Sequence, residues 1–346
     1  MTITRRHIMT AIGAAGFATT LPRLARADIA DLHDAARKEA SVTWYIAQVD
    51  TETAETMGRA FTTKYPGVTV ASIRTTGQVA YERLLQDLKN NAPQCDVFSG
   101  TDIAQYPELK KRSQLANYTP AGAATLLPAF KPVEDPGYWY PAASNTHLLV
   151  HHAQKVTAAD APKNWPDLLD PKWKGRVATG HPAFSGCTGI WALALRKKYG
   201  WEFFEKLAKN NPRIGRSGND PVTLINAGEC LVGPAPANTA FQQVDKGNPI
   251  VPVYPTDGAT LCVGPSAVMA SAPHPNAARL FQAWLHTRET QQFFTDFTAQ
   301  YSAHPQVTPK PGRRKIADIK LMKEDPEAIL TQSDDVKKKY AEIFKV

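Results

Sequence analysis

Residues 41–73 read SVTWYIAQVDTETAETMGRAFTTKYPGVTVASI, and this stretch decides the fold class. Its first six residues are β-branched or aromatic for the most part, as in a strand. Over 51–65 the apolar Met57, Ala60 and Phe61 share one helical face, and Pro66-Gly67 ends the helix. Residues 68–73 then return to strand character. The pattern continues with a helix over 80–89, turning Leu84, Leu85 and Leu88 inward, and a short strand over 96–100. Strand and helix in alternation predict an α/β architecture with a parallel sheet.

The chain has 346 residues, which suits two lobes. Apolar residues make up 43 % and charged residues 21 %, a balance that excludes a disordered chain. No run approaches the roughly 18 apolar residues of a membrane span, so no stable membrane insertion is expected. The first 27 residues read as an address. Arg5-Arg6 precede an apolar run over 8–21 and the small-residue site Ala25-Arg26-Ala27, the parts of a cleaved export signal resembling the twin-arginine type. The first cysteine is Cys95, so no lipidated cysteine follows that site. A soluble, monomeric periplasmic protein is expected. Residues 1–27 hold four arginines and no acid, so their removal lowers the net charge from +8 to +4. The basic runs at 110–112, 313–315 and 337–339 read as solvated helix faces, not a nucleic-acid patch.

The middle of the chain is organised differently. Residues 138–152 are extended. Residues 162–173 form a short helix between prolines. A Ser/Gly loop over 182–189 enters a helix over 190–199, and a strand follows over 228–233. Residues 261–268 are extended again, before an amphipathic helix carrying Leu280, Phe281, Trp284 and Leu285. Two extended segments shared by two α/β lobes would make a hinge with a cleft between them. The expected division is 28–142 with 269–346 in one lobe and 143–268 in the other.

Several pieces carry a family resemblance: Tyr81-Glu82-Arg83-Leu84, Asp96-Val97-Phe98-Ser99, the stretch from Trp165 through Asp170-Pro171-Lys172-Trp173-Lys174-Gly175, Pro182-Ala183-Phe184-Ser185-Gly186 and Ala272-Pro273-His274-Pro275-Asn276-Ala277-Ala278. In their order and spacing the chain resembles the periplasmic solute-binding proteins of ABC importers, in the ferric-binding-protein-like branch. The resemblance implies a type II periplasmic-binding fold, each lobe a mixed sheet flanked by helices, joined by a two-strand hinge. It implies a ligand captured between the lobes and handed to an inner-membrane ABC permease, with no catalytic residue and no cofactor. A ligand-presenting partner of a sensor kinase would look the same in sequence. An exported enzyme is the rival of another class, but no G-x-S-x-G, H-E-x-x-H or P-loop is present.

The pocket of such proteins lies at strand ends, which nominates five segments. They are Gln48 after the first strand; Thr75, Thr76 and Gly77, beside Arg74, after the second; Ser99, Thr101 and Asp102 after the third; Ser185, Gly186, Cys187 and Thr188 at a helix start; and Asn238 after the strand at Val232. Tyr140 and Asn145 join from the extended stretch. The Ser185 loop offers free N–H groups and the positive end of a helix dipole, an anion site without a charged side chain. The alternative is that Ser185 only caps the helix. The branch's iron binders use two adjacent tyrosines, which suit a hard ferric ion. Here Pro234-Ala235-Pro236-Ala237-Asn238-Thr239 stands in that place, so the expected ligand is a small organic anion: a carboxylate, phosphonate or phosphate ester. A non-standard ferric set drawn from Tyr45, Tyr140 and Tyr254 is the alternative, with no other metal site expected. His147 and His151 fall on one face of the extended stretch, His152 on the other. Cys187 reads either as a pocket thiol, its pKa lowered at a helix N-terminus, or as a small spacer. Cys230 and Cys262 lie on strands that would neighbour each other, and whether they pair is left to geometry.

Overall fold

The computed structural model describes residues 29–127, 130, 137–322 and 326–346. The export signal expected over 1–27 lies outside these residues. The first half runs α1 (Ile29–Glu39), β1 (Ser41–Ile46), α2 (Thr51–Lys64), β2 (Thr69–Arg74), α3 (Gly77–Lys89), β3 (Val97–Ser99) and α4 (Gln105–Lys111). The long β4 (Tyr140–His152) leads into two short 3-10 turns, Trp165–Leu169 and Pro171–Trp173. Then come β5 (Ala178–Gly180), α5 (Gly186–Tyr199), α6 (Trp201–Lys209), β6 (Arg213–Gly215), α7 (Asp220–Asn226), β7 (Val232–Pro236), α8 (Ala237–Asp245), β8 (Ile250–Val253) and β9 (Thr260–Val268). The chain ends with α9 (Pro275–Leu285), α10 (Arg288–Thr298) and α11 (Pro326–Phe344).

The main sheet has the order β2-β1-β3-β9-β4-β7, with β8 also paired to β4. β1 pairs in parallel with β2 and β3, as strand–helix alternation requires. β9 runs antiparallel to β3 at one end, Val97 opposite Val268, and to β4 at the other, His147 opposite Thr260. β4 and β9 are therefore the two strands that pass between the halves, and the architecture is the mixed-sheet, two-strand-crossing fold expected from the sequence. Every residue of β4 is buried, so the extended stretch expected there is a central strand, covered on both faces.

Each half has its own core. Trp44, Phe61, Phe281 and Trp284 pack edge to face under β1, with ring centroids 5.0–5.3 Å apart. Trp165, Trp191, Phe204 and Tyr340 form the second core. Charged clasps hold the returning helix α9 to the first half. Asp96, fully buried, accepts from Thr43 N and His274 N, and from His274 Nδ1 at 2.8 Å. The Glu39 carboxylate accepts from the N–H groups of Asn276 and Ala277, neutralising the start of α9.

The expected division places residues 269–346 in the first lobe; α11 packs on α5 and α6 of the second half. Its Ala328, Ile329, Val336 and Tyr340 join the second core, and Tyr340 Oη donates to Gly180 O at 3.1 Å. An apolar helix face records that it is buried, but not which surface receives it.

Two buried histidines make stability depend on pH. Burial holds His147, stacked on Trp191, down to about 3, and holds His286 down to about 4. Both titrate near 6.5 when unfolded. Their neutral forms support the fold fully above pH 6.5, and that support is lost as pH falls through the folded values, because the unfolded chain binds more protons. Melting temperature is expected to drop between pH 6.5 and 4, each histidine contributing up to about 1.4 kcal/mol per pH unit. His147→Phe should flatten that profile; an unchanged slope would show that His147 is not held neutral.

Candidate functional site

Four helices of eight or more residues begin at one cleft between the two halves. Each follows a strand by a short connection: β1 to α2, β2 to α3, β5 to α5 and β7 to α8. Strand ends and helix starts therefore gather at the same edge. Residues at or flanking the helix starts line the cleft: Asp50 and Thr53 for α2, Thr76 and Gly77 for α3, Ser185 and Cys187 for α5, Asn238 and Thr239 for α8. The cleft encloses about 740 Å³, including the part open to solvent.

The starts are not equivalent. At α2 the Asp50 carboxylate accepts from Thr53 N at 2.8 Å, so a negative charge already occupies that terminus. At α3, Thr76 makes no cap bond, and its hydroxyl, buried, has no partner among the described residues. At α5, Ser185 Oγ accepts from Thr188 N at 3.4 Å, and Gly186 N donates to Thr101 Oγ1. Among the described residues no acceptor is bonded to the Cys187 N–H. At α8, Asn145 orders the start: its Oδ1 accepts from Asn238 N at 3.2 Å and its Nδ2 donates to Asn238 Oδ1. Thr239 Oγ1 donates to Asn219 Oδ1 at 2.6 Å.

Among the described residues, the charged ones lining the cleft are Arg74 and Asp50. Arg74 Nε donates to Val49 O at 2.8 Å, which steadies the guanidinium and leaves its two terminal nitrogens for a ligand. Helix starts that present N–H groups, a buried free hydroxyl and one guanidinium make an environment for oxyanions.

Of the residues nominated from sequence, Gln48, Thr76, Gly77, Thr101, Asn145, Ser185, Cys187 and Asn238 line this cleft. Others lie elsewhere. Ser99 is fully buried in a relay in which Trp44 Nε1 donates to Ser99 Oγ, Ser99 to Ser266 Oγ, and Ser266 to Gln282 Oε1, each at 2.8 Å. Tyr140 is buried and hydrogen-bonds Thr119. Asp102 is ion-paired with Lys337 at 2.9 Å. Gly186 lies so close to the Thr101 carbonyl that a Cβ would stand 2.0 Å from its oxygen. Thr188 is buried behind the first turn of α5, and the Thr75 N–H bonds Ile46 O. Gln48 lines the cleft, but its amide nitrogen is spent on Gly100 O and Pro265 O.

Sequence reading missed Asp50, Thr53 and the loop Ser217-Gly218-Asn219. Asp50 carries an N-cap signature, an acid before a helical run. Ser217–Asn219 precedes Pro221 and reads only as a turn. Its arrival at Ser185, whose Oγ would stand 2.9 Å from a Cβ on Gly218, depends on β6 pairing with β5.

The reading of Cys187 as a thiol is corrected: it forms a disulfide with Cys262, across 75 residues. Cys262 therefore does not pair with Cys230, which is buried and free, as is Cys95. Spacing could not reveal the partner, because it depends on α5 packing over β9. Among the described residues no three His, Cys, Asp or Glu side chains come together. Among the described residues no tyrosine lines the cleft. Tyr45 bonds Asp87, and burial with that carboxylate pushes its phenol up to about 12. Tyr254 is hydrogen-bonded to Tyr301.

Comparison with known proteins agrees with this geometry. Residues 92–315 match the family described as bacterial extracellular solute-binding protein. A probable ABC transporter periplasmic-binding protein of Sinorhizobium fredii is 22 % identical over 274 residues, 76 % of this chain and 75 % of the relative. Among solved structures, the periplasmic binding protein AfuA from Actinobacillus pleuropneumoniae, with fructose-6-phosphate bound, superposes with a TM-score of 0.79 at 20 % identity, covering 88 % of this chain and 99 % of the other. Iron-bound HitA from Pseudomonas aeruginosa superposes at 0.75 and 21 %, covering 87 % and 99 %. At these identities the superpositions establish the fold alone.

Peptide mapping without reductant is expected to recover Cys187 joined to Cys262, with Cys95 and Cys230 alkylated only after unfolding. A Cys230–Cys262 peptide would contradict the pairing.

Proposed function

The chain belongs to the bacterial extracellular solute-binding proteins, and from that premise we propose that it captures a small organic anion in the cleft between its halves and delivers it to an inner-membrane ABC permease. The supporting observation is the convergence of helix starts from both halves. Asp50 already neutralises α2, whereas α3, α5 and α8 carry no acidic residue in their first turns. An oxyanion placed among them satisfies N–H groups that helix geometry leaves without partners. Arg74 adds one full positive charge, suited to a carboxylate, phosphonate or phosphate ester. Asp50, exposed at the same cleft, accepts from a hydroxyl or amino group on the rest of the ligand and disfavours a compact, highly charged inorganic anion.

Binding of this kind needs no catalytic residue. Donors on both halves reach one anion only when the halves approach, so ligand favours the closed form. The working place of such a protein is the periplasm, in keeping with the export signal read at its N-terminus. AfuA's sugar phosphate lends weight to an organic anion. HitA's iron supports the alternative ferric reading, but a ferric ion needs hard anionic ligands, and among the described residues the cleft offers Asp50 as its one carboxylate and no phenol.

A thermal-shift screen against carboxylates, phosphonates, sugar phosphates and ferric salts tests the proposal, because a ligand that binds only the folded state raises the melting temperature. At least one organic anion is expected to raise it, and Arg74→Gln should weaken that binding by roughly ten- to a hundredfold, the loss of charge-assisted hydrogen bonds. A shift with ferric ion alone, giving a coloured protein, would overturn the proposal.

A further inference from the structure

The segment Thr101–Ile103 belongs to the first half, following β3, yet each of its three residues engages the second half. Thr101 Oγ1 accepts from Gly186 N at 3.4 Å, and the Thr101 carbonyl lies against the Gly186 Cα. The Asp102 carboxylate pairs with Lys337 Nζ at 2.9 Å. Ile103 packs against the apolar core of the second half. Lys337 stands on α11, the helix that sequence reading had placed with the first lobe. The pair is well shielded: 21 % of the Lys337 side chain and 12 % of the Asp102 side chain are exposed. A pair shielded in this way is screened by salt less than a surface pair.

We propose that Thr101–Ile103 is a latch: the Asp102–Lys337 ion pair, seated on the close contact of Thr101 with Gly186, holds the cleft closed even when no ligand occupies it. Nothing in a simple capture mechanism requires this contact, since Asp102 and Lys337 do not line the cleft. Glycine at 186 is what permits it, because any Cβ there would drive Thr101 away. Lys337 Nζ also donates to a second acid, Asp334, at 3.2 Å on its own helix, which keeps the ammonium placed when the halves part. The latch gives α11 a task beyond packing: it carries the charge that closes the cleft.

The proposal rests on the two halves forming a ligand cleft, but its test uses no ligand, so a failed ligand screen and a failed latch are separate results. The probe is X-ray scattering and amide exchange on the purified, ligand-free protein. Lys337→Met and Gly186→Ala are expected to increase the radius of gyration. They should also speed exchange of the amides over 101–104 and at Gly186 by roughly five- to thirtyfold, the change that one modest interaction makes in an opening equilibrium. Asp102→Lys combined with Lys337→Asp should restore both readings toward wild type. Lys337 lies on an outer helix, and Gly186→Ala perturbs the same contact without changing charge, so the two variants check each other. Unchanged radius and exchange in both, or a charge swap as open as Lys337→Met, would overturn the latch.

Discussion

The antiparallel pairing of β4 with β9 is the constraint on which the rest of the molecule depends. β4 is buried along its whole length, so its backbone groups must be satisfied by neighbouring strands. β9 and, past its end, β8 take one edge, and β7 takes the other. β9 in turn reaches back to β3, so one hydrogen-bonded ladder links the two cores. Within that ladder Pro141 stands opposite Pro265, and the register shifts before Ala143. Neither proline donates, so the sheet is thinnest where the halves join. Gln48 and Tyr106 donate to the Pro265 carbonyl and brace this point from the first half.

From that crossing the site follows. Strands that feed helices on both sides of the β4–β9 pair deliver helix N-termini into one cleft, with few charged side chains needed. Among the described residues the cleft is lined by one guanidinium and one carboxylate, and its other polar groups are hydroxyls, amides and backbone N–H groups. Such donors are fixed by the fold, so little reorganisation opposes binding. The Cys187–Cys262 disulfide ties the first turn of α5, which lines the cleft, to β9, one of the two strands that pass between the halves.

Much of this was legible locally. The β1–α2–β2 alternation, the two extended crossing segments and the Ser185 helix start are carried by short-range patterns: β-branched runs, a period near 3.6, and a capping residue before a helix. What escaped depended on pairings between distant segments. Ser217-Gly218-Asn219 reads as a turn until β6 meets β5. Asp102 reads as a strand-end ligand until α11 brings Lys337 to it. Ser99 reads as a pocket hydroxyl until Trp44 and Ser266 enclose it. Cys187 reads as a thiol until α5 lies over β9. In each case the residue type was informative and the partner was not, because the partner is set by packing and not by spacing.

The most direct test of the central claim is a crystal structure of the protein with its bound ligand. An organic anion is expected, its oxygens within hydrogen-bond distance of the Cys187 N–H, the Thr76 hydroxyl and the Arg74 guanidinium, between two closed halves. A metal ion coordinated by side chains, or a ligand seated away from the starts of α3, α5 and α8, would contradict it.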